Sequence, residues 1–372
     1  YLRTTFRLAD KELEEALFRF LKDEQTGMFR GPYLDVRLPF RKAPEDWEAR
    51  SPLDFGPPFL PHAHQLRAFE RLSARDRQPQ NTLVTTGTGS GKTECFLYPV
   101  LDHCRRARQR GEGGVKAIII YPMNALATDQ AERLAKLLQR PELAGVTAGL
   151  YVGGQGQHGS SSGTLLVDDR KVLRKSPPDI LLTNYRMLDF LLMRPEDAQL
   201  WNQNDPTTLR YLVLDELHTY DGAQGSDVAC LIRRLKARLG TPPGHLCCVG
   251  TSATIGSGGT RDPRQLLAEF ATKIFAEPFT PECLVGEDRA SVDEVLGKGS
   301  SRIESSLPVP SEDRWRELEP THYSRYEDYL AAQERLWCGH KQLGPSFLAE
   351  TLRAHPFLPK LLRGLAGRER RA

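Results

Sequence analysis

The chain has 372 residues, with 51 lysines and arginines against 48 aspartates and glutamates. That length allows two domains and a sizeable core, but a net charge of +3 is too small to name a polyanionic partner by itself. The seven cysteines form no CxxC pair, which excludes a zinc module of that spacing and argues against a disulfide framework. With no signal-like leader and no apolar run near the ~18 residues of a membrane span, the expected location is the reducing cytoplasm, without a membrane partner.

Taken in chain order, Lys11 to Lys22 places Leu13, Ala16, Leu17, Phe20 and Leu21 at the spacing of an amphipathic helix. The proline-rich stretch from Pro39 to Pro61 reads as an extended connector. Apolar, strand-like runs then occur at 82–86, 117–121, 147–152, 179–183, 211–215 and 246–251. Helix-like stretches such as Ala125 to Leu138 and Gly225 to Leu239 separate most of them, the alternation of a parallel α/β sheet. Residues 155–163 (QGQHGSSSG) form a polar loop that either approaches a nucleic-acid strand or is simply surface. Ser257-Gly258-Gly259 ends the strong alternation. A helix follows from Arg261 to Phe275, then a polar linker or insertion at 286–312 and a helix-like stretch at 321–366. Basic clusters at Arg105, Arg106, Arg108 and Arg110, and at Lys360, Arg363, Arg368, Arg370 and Arg371, are either phosphate-backbone contacts or solvated helix faces.

Three short runs carry chemistry. Thr86 to Thr93 read TGTGSGKT after the strand-like Asn81 to Thr85, and Glu94 to Tyr98 can open a helix. Here Gly87, Thr88, Gly89, Ser90 and Gly91 can turn backbone N–H groups toward a polyphosphate. Lys92 can reach the β- and γ-phosphates, and the Thr93 hydroxyl can ligate Mg²⁺. Thr86 stands where the general GxxxxGK[ST] pattern has its first glycine. Asp215 and Glu216, in DELH, follow the apolar run Tyr211 to Leu214, at the strand end where open parallel sheets bind ligands. The aspartate there can hold Mg²⁺, and the glutamate can orient and deprotonate a water. Thr251-Ser252-Ala253-Thr254 comes after a further buried run, Leu246 to Gly250.

GSGKT, DELH and TSAT in that order resemble motifs I, II and III of the superfamily 2 helicases, in the DExH spelling. The resemblance implies a RecA-like P-loop domain, with Gln65 reading adenine and ATP and Mg²⁺ as cofactors. It implies that His218, Thr251, Ser252 and Thr254 couple nucleotide state to domain position. Tyr121 to Ala127 with Gln130 looks like motif Ia, so that Pro122 and Asn124, with Thr183 and Asn184 near a second station, would touch a strand backbone. Tyr1 to Phe6, Gly31 to Leu34 and Arg233 to Gly240 resemble the large bacterial DExH helicases of mitomycin repair and phage defence.

The expected organisation is a leader at 1–60, a first RecA-like domain at 61–256 and a mainly helical region at 257–372. That last region would lead toward a second RecA-like domain, because no QxxGRxGR-like run follows Thr254. The implied function is an ATP-dependent helicase or translocase motor. Its implied partners are a single-stranded or partly duplex nucleic acid, DNA in preference to RNA, and subunits of a defence or repair complex. The alternative is a nucleotide-gated binding or assembly module that does not unwind.

Overall fold

A computed structural model of the chain describes residues 10–23, 27, 37–87, 89–153, 166–167, 170–253, 261–296, 310–339, 348, 351–353, 355 and 357–365. These fall into two units, Phe40–Arg289 and a second unit that joins Tyr1–Pro39 to Ala290–Ala372. Thr88, Thr254, the loop at 155–163 and the resemblance-bearing stretches at 1–6 and 31–34 lie outside the described residues.

The first unit is built on eight strands: β1 (Thr82–Thr85), β2 (Ala117–Ile120), β3 (Ala148–Tyr151), β4 (Leu166–Val167), β5 (Ile180–Thr183), β6 (Tyr211–Leu214), β7 (Cys247–Ser252) and β8 (Leu284–Gly286). They form one sheet in the order β4-β3-β5-β2-β6-β7-β1-β8, and every pairing is parallel. All residues of β1, β2, β5, β6 and β7 are buried. Both sheet faces are therefore covered, which is why these strands read as continuous apolar runs and not as alternating ones.

Among the described residues, the helices include α1 (Lys11–Lys22), α2 (Ala63–Leu72), α3 (Lys92–Gln109), α4 (Asn124–Leu138), α5 (Arg170–Lys175), α6 (Tyr185–Met193), α7 (Gly222–Leu239), α8 (Pro263–Phe275), α9 (Val292–Leu296), α10 (Tyr326–Cys338) and α11 (Phe357–Leu365). Successive strand side chains point to opposite faces, so β2 divides between two cores. Ile118 and Ile120 join Leu231, Ile232, Leu235 and Phe275 of α7 and α8. Ala117 and Ile119 join Phe96, Val100, Leu101 and Leu134 of α3 and α4. Among the described residues no helix is long and apolar enough to cross a membrane.

The alternation does not end at Ser257, as the sequence suggested. Helix α8 and strand β8 continue it, and β8 pairs with β1 at the sheet edge. Three residues, Leu284, Val285 and Gly286, are too few to show a strand period, which hid this element. The connector is fastened by a buried carboxylate. Asp102 of α3 accepts the backbone N–H of Asp54 at 3.0 Å and of Phe55 at 2.9 Å. The first basic cluster is committed within the fold. Arg106 pairs with Asp102 at 3.1 Å, Arg108 with Asp179 at 2.8 Å and Arg110 with Glu112 at 2.5 Å, while Arg105 donates to the Glu142 carbonyl at 3.0 Å.

In the second unit, the Asp10 side chain caps α1 by accepting from the N–H of Glu12 and Leu13 at 2.8 and 3.1 Å. Helix α10 carries Gln333, whose Nε2 donates to the Glu317 carbonyl at 2.8 Å. Arg363 of α11 pairs with Asp293 of α9 at 3.2 Å.

Candidate nucleotide-binding site

The sheet order places β1, β7 and β6 side by side. Register pairs Thr85 with Ser252 and Leu214 with Gly250, so the three chemical runs leave adjacent strands at their carboxyl ends. Packing at this junction is close: a Cβ on Gly250 would lie 2.8 Å from a Leu83 methyl and 2.9 Å from a Leu217 methyl, so both leucine side chains would have to shift.

After β1 the chain turns into a loop closed by its own side chains. The hydroxyls of Thr86 and Ser90 lie 2.6 Å apart, so the residue replacing the first glycine stitches the loop shut. His64 Nε2 bonds the Ser90 carbonyl at 2.9 Å. Burial holds the imidazole of His64 below its ordinary value, an effect that the Ser90 bond opposes. Gly89 and Gly91 both adopt φ of +77°, the left-handed region that glycine enters without steric cost. Gln65, on α2, is buried. It donates from Nε2 to the Gly91 carbonyl at 3.2 Å and accepts from the His62 N–H at 2.8 Å. A Cβ on Gly91 would run into that Gln65 amide. Lys92 and Thr93 then open α3, with unsatisfied N–H groups and the positive end of the helix dipole facing the loop.

Lys92 Nζ lies 3.3 Å from Glu216 Oε1. Glu216 has a φ of +50°, unusual for a residue with a side chain, so its carboxylate is aimed by a strained turn immediately after Asp215. The Thr251 hydroxyl donates to Asp215 Oδ1 at 2.5 Å and accepts the Glu216 N–H at 3.0 Å. Ser252 Oγ is 3.3 Å from His218 Nδ1, which is 3.4 Å from Glu216 Oε2. The carboxyl end of β7 is thus joined to both ends of DELH.

Burial raises the Asp215 carboxyl above its ordinary value, only partly offset by the Thr251 bond. Glu216 Oε2 is buried without a hydrogen-bond donor among the described residues. A cation suits both groups, because it would offset the desolvation of a buried carboxylate. Thr251→Val would leave Asp215 Oδ1 and the Glu216 N–H without this partner. We expect a loss of about 1–3 kcal/mol in denaturant melts, largely restored in Thr251→Ser. A Thr251→Val protein as stable as wild type would show that the bridge is unimportant.

The strand-contact candidates sit beyond β2 and β5. Pro122 is half-buried and Asn124 exposed, and the Asn184 amide donates to Asn124 Oδ1 at 2.5 Å. Asn124 Nδ2 donates to the Gly153 carbonyl at 2.8 Å. Thr183 is different. It is fully buried, and its hydroxyl donates to the Tyr151 carbonyl at 2.6 Å, linking β5 to β3. Its side chain therefore has no surface to offer a strand. Two further residues at the site carry no motif: His64, beside Gln65, and Glu287, whose Oε1 accepts the Gly87 N–H at 2.5 Å.

A family description of DEAD/DEAH box helicases matches residues 62–261, which contain the loop, DELH and TSAT. The chain belongs to the DEAD/DEAH box helicase family. This helicase chain is 27% identical over 366 residues to Druantia protein DruE of Escherichia coli, covering 69% of this chain and 20% of that protein. It is 31% identical over 199 residues to the uncharacterized ATP-dependent helicase YprA of Bacillus subtilis, covering 53% and 23%. Among solved structures, it is similar to DUF1998 helicase MrfA bound to DNA and AMPPNP, at 24% identity and a TM-score of 0.47, covering 82% of this chain and 40% of that one. The chain thus spans about a fifth of the two curated relatives. The expected kinship with large bacterial helicases agrees with the matches to DruE and YprA.

Proposed function

We propose that the first unit is an ATP-binding and ATP-hydrolysing motor domain of a nucleic-acid helicase or translocase. The observation that carries this reading is the convergence of Lys92, Asp215 and Glu216 at the carboxyl ends of neighbouring strands, with Lys92 and Glu216 3.3 Å apart. Lys92 and the loop amides would hold the triphosphate, and Gln65 would hold the loop through the Gly91 carbonyl, contact with adenine requiring its amide to leave the bonds it makes here. Thr93 and Asp215 would hold Mg²⁺, which supplies charge neutralisation at the phosphates when bound. Glu216 would orient the attacking water and take its proton. His218 and Ser252 connect that carboxylate to the strand β7 end, a path by which loss of the γ-phosphate would be felt there.

Pro122, Asn124 and Asn184 would contact the backbone of a single strand, DNA in preference to RNA. Backbone contact makes such binding indifferent to sequence and steeply dependent on salt. A second RecA-like domain would complete the ATP site, and repair or defence subunits would be further partners. YprA, a relative at 31% identity, bears the description ATP-dependent helicase, which agrees with this reading. The test is the ATPase rate of the full-length protein with and without single-stranded DNA, and then with RNA. We expect DNA to raise the rate. A rate indifferent to any strand would favour a nucleotide-gated binding or assembly module over a motor.

A further inference from the structure

Glu287 brings a negative charge to the loop that the proposed function assigns to a polyphosphate. Its Oε1 accepts the Gly87 N–H at 2.5 Å, across 200 positions of sequence. The same oxygen would lie 2.7 Å from a Cβ on Gly87, so the carboxylate rests against the bare backbone of the loop. The position is held from several sides. Arg289 Nε meets Glu287 Oε2 at 2.6 Å, and the Arg289 guanidinium lies 4.2 Å from the centre of the Phe40 ring. Phe40 and Arg289 form an antiparallel bridge, and the Arg41 N–H donates to the Asp288 carbonyl at 2.8 Å. Arg67 of α2 donates to the Gly286 carbonyl at 3.3 Å. Strand β8 pairs with β1, the strand that leads into the loop, so these contacts share one sheet edge.

A loop of this kind holds anions through oriented backbone N–H groups. We propose that Glu287 is an internal competitor for that loop. Its carboxylate takes one N–H and sets a negative charge beside the phosphate position, so a triphosphate binds against it and displaces it from Gly87. The segment carrying Glu287 ends at Arg289, the last residue of the first unit, and Phe40, its partner in the bridge, is the first. Release of Glu287 would therefore act on the two points where the chain enters and leaves this unit. The inference rests on the reading of the loop as a nucleotide site.

The experiment is a titration of the protein with the fluorescent ATP analogue mant-ATP in Mg²⁺, for wild type, Glu287→Gln, Glu287→Ala and Lys92→Ala. Glu287→Gln keeps an acceptor oxygen and removes the charge, whereas Glu287→Ala removes both. The Glu287 side chain is 31% exposed, so solvent screens it, and we expect both variants to bind about three- to tenfold more tightly than wild type. Thermal melts establish that each variant is folded. If either folded Glu287 variant binds no more tightly than wild type while Lys92→Ala still weakens binding by about 100-fold, the competitor role is overturned and the nucleotide site stands. If wild type and Lys92→Ala bind alike, the nucleotide site itself falls, and the competitor role with it.

Discussion

Lys92→Ala is expected to weaken binding of a Mg²⁺-bound fluorescent ATP analogue by about 100-fold, the upper end of what a charge-assisted hydrogen bond to a buried anion contributes. The side chain is 13% exposed and points at Glu216, so its ammonium is already placed among the groups that would surround a γ-phosphate. Its present partner is a carboxylate, and a triphosphate carries more charge, so exchange of one for the other is electrostatically favoured. Removal of the ammonium leaves Glu216 without its cation and adds repulsion toward the phosphates. Equilibrium titration measures the loss, and Lys92→Arg separates charge from shape. Unchanged affinity in Lys92→Ala would place the phosphate site elsewhere in the molecule.

Glu216→Gln is expected to act on the other half of the cycle. Nucleotide binding should survive, because the proposed task of the carboxylate is to act on the attacking water and not to hold phosphate. Turnover in the full-length protein should fall by about 10²–10⁴, the usual contribution of a positioned general base. Steady-state phosphate release measures this. A Glu216→Gln enzyme turning over at the wild-type rate would remove Glu216 from the reaction. The strained backbone of Glu216, at φ +50°, strengthens the expectation, since strain of this kind persists where the surrounding structure fixes a side chain for a task.

What the sequence showed, it showed through short-range patterns. Six of the eight strands were readable because parallel strands covered on both faces read as mainly apolar runs, and the loop and DELH were readable because each follows its strand directly. The same local logic failed at β8, where three residues leave no period, and at Glu287, whose partner lies 200 positions away. Thr183 shows a different limit. A threonine at the end of a strand reads as available, yet here its hydroxyl is consumed by the neighbouring strand's Tyr151 carbonyl. Thr86 ran the other way. It departs from the general loop pattern, and only its contact with Ser90 shows how the loop closes without a first glycine.

The sheet order also dictates a timetable. Strand β7 lies between β6 and β1, so the chain must leave a gap between two earlier strands and fill it later. About 160 residues separate the end of β1 from the start of β7, which at ribosomal speeds is a delay of about 8–30 s. Throughout that interval β1 has no strand partner, since β7 and β8 are both still to come, and once β6 is made its edge also awaits β7; an unpaired edge is a template for wrong partners. The loop that follows β1 is therefore made early and assembled late. A ribosome-bound chain stopped before Cys247 should expose the loop to protease, and one extended past Gly286 should protect it.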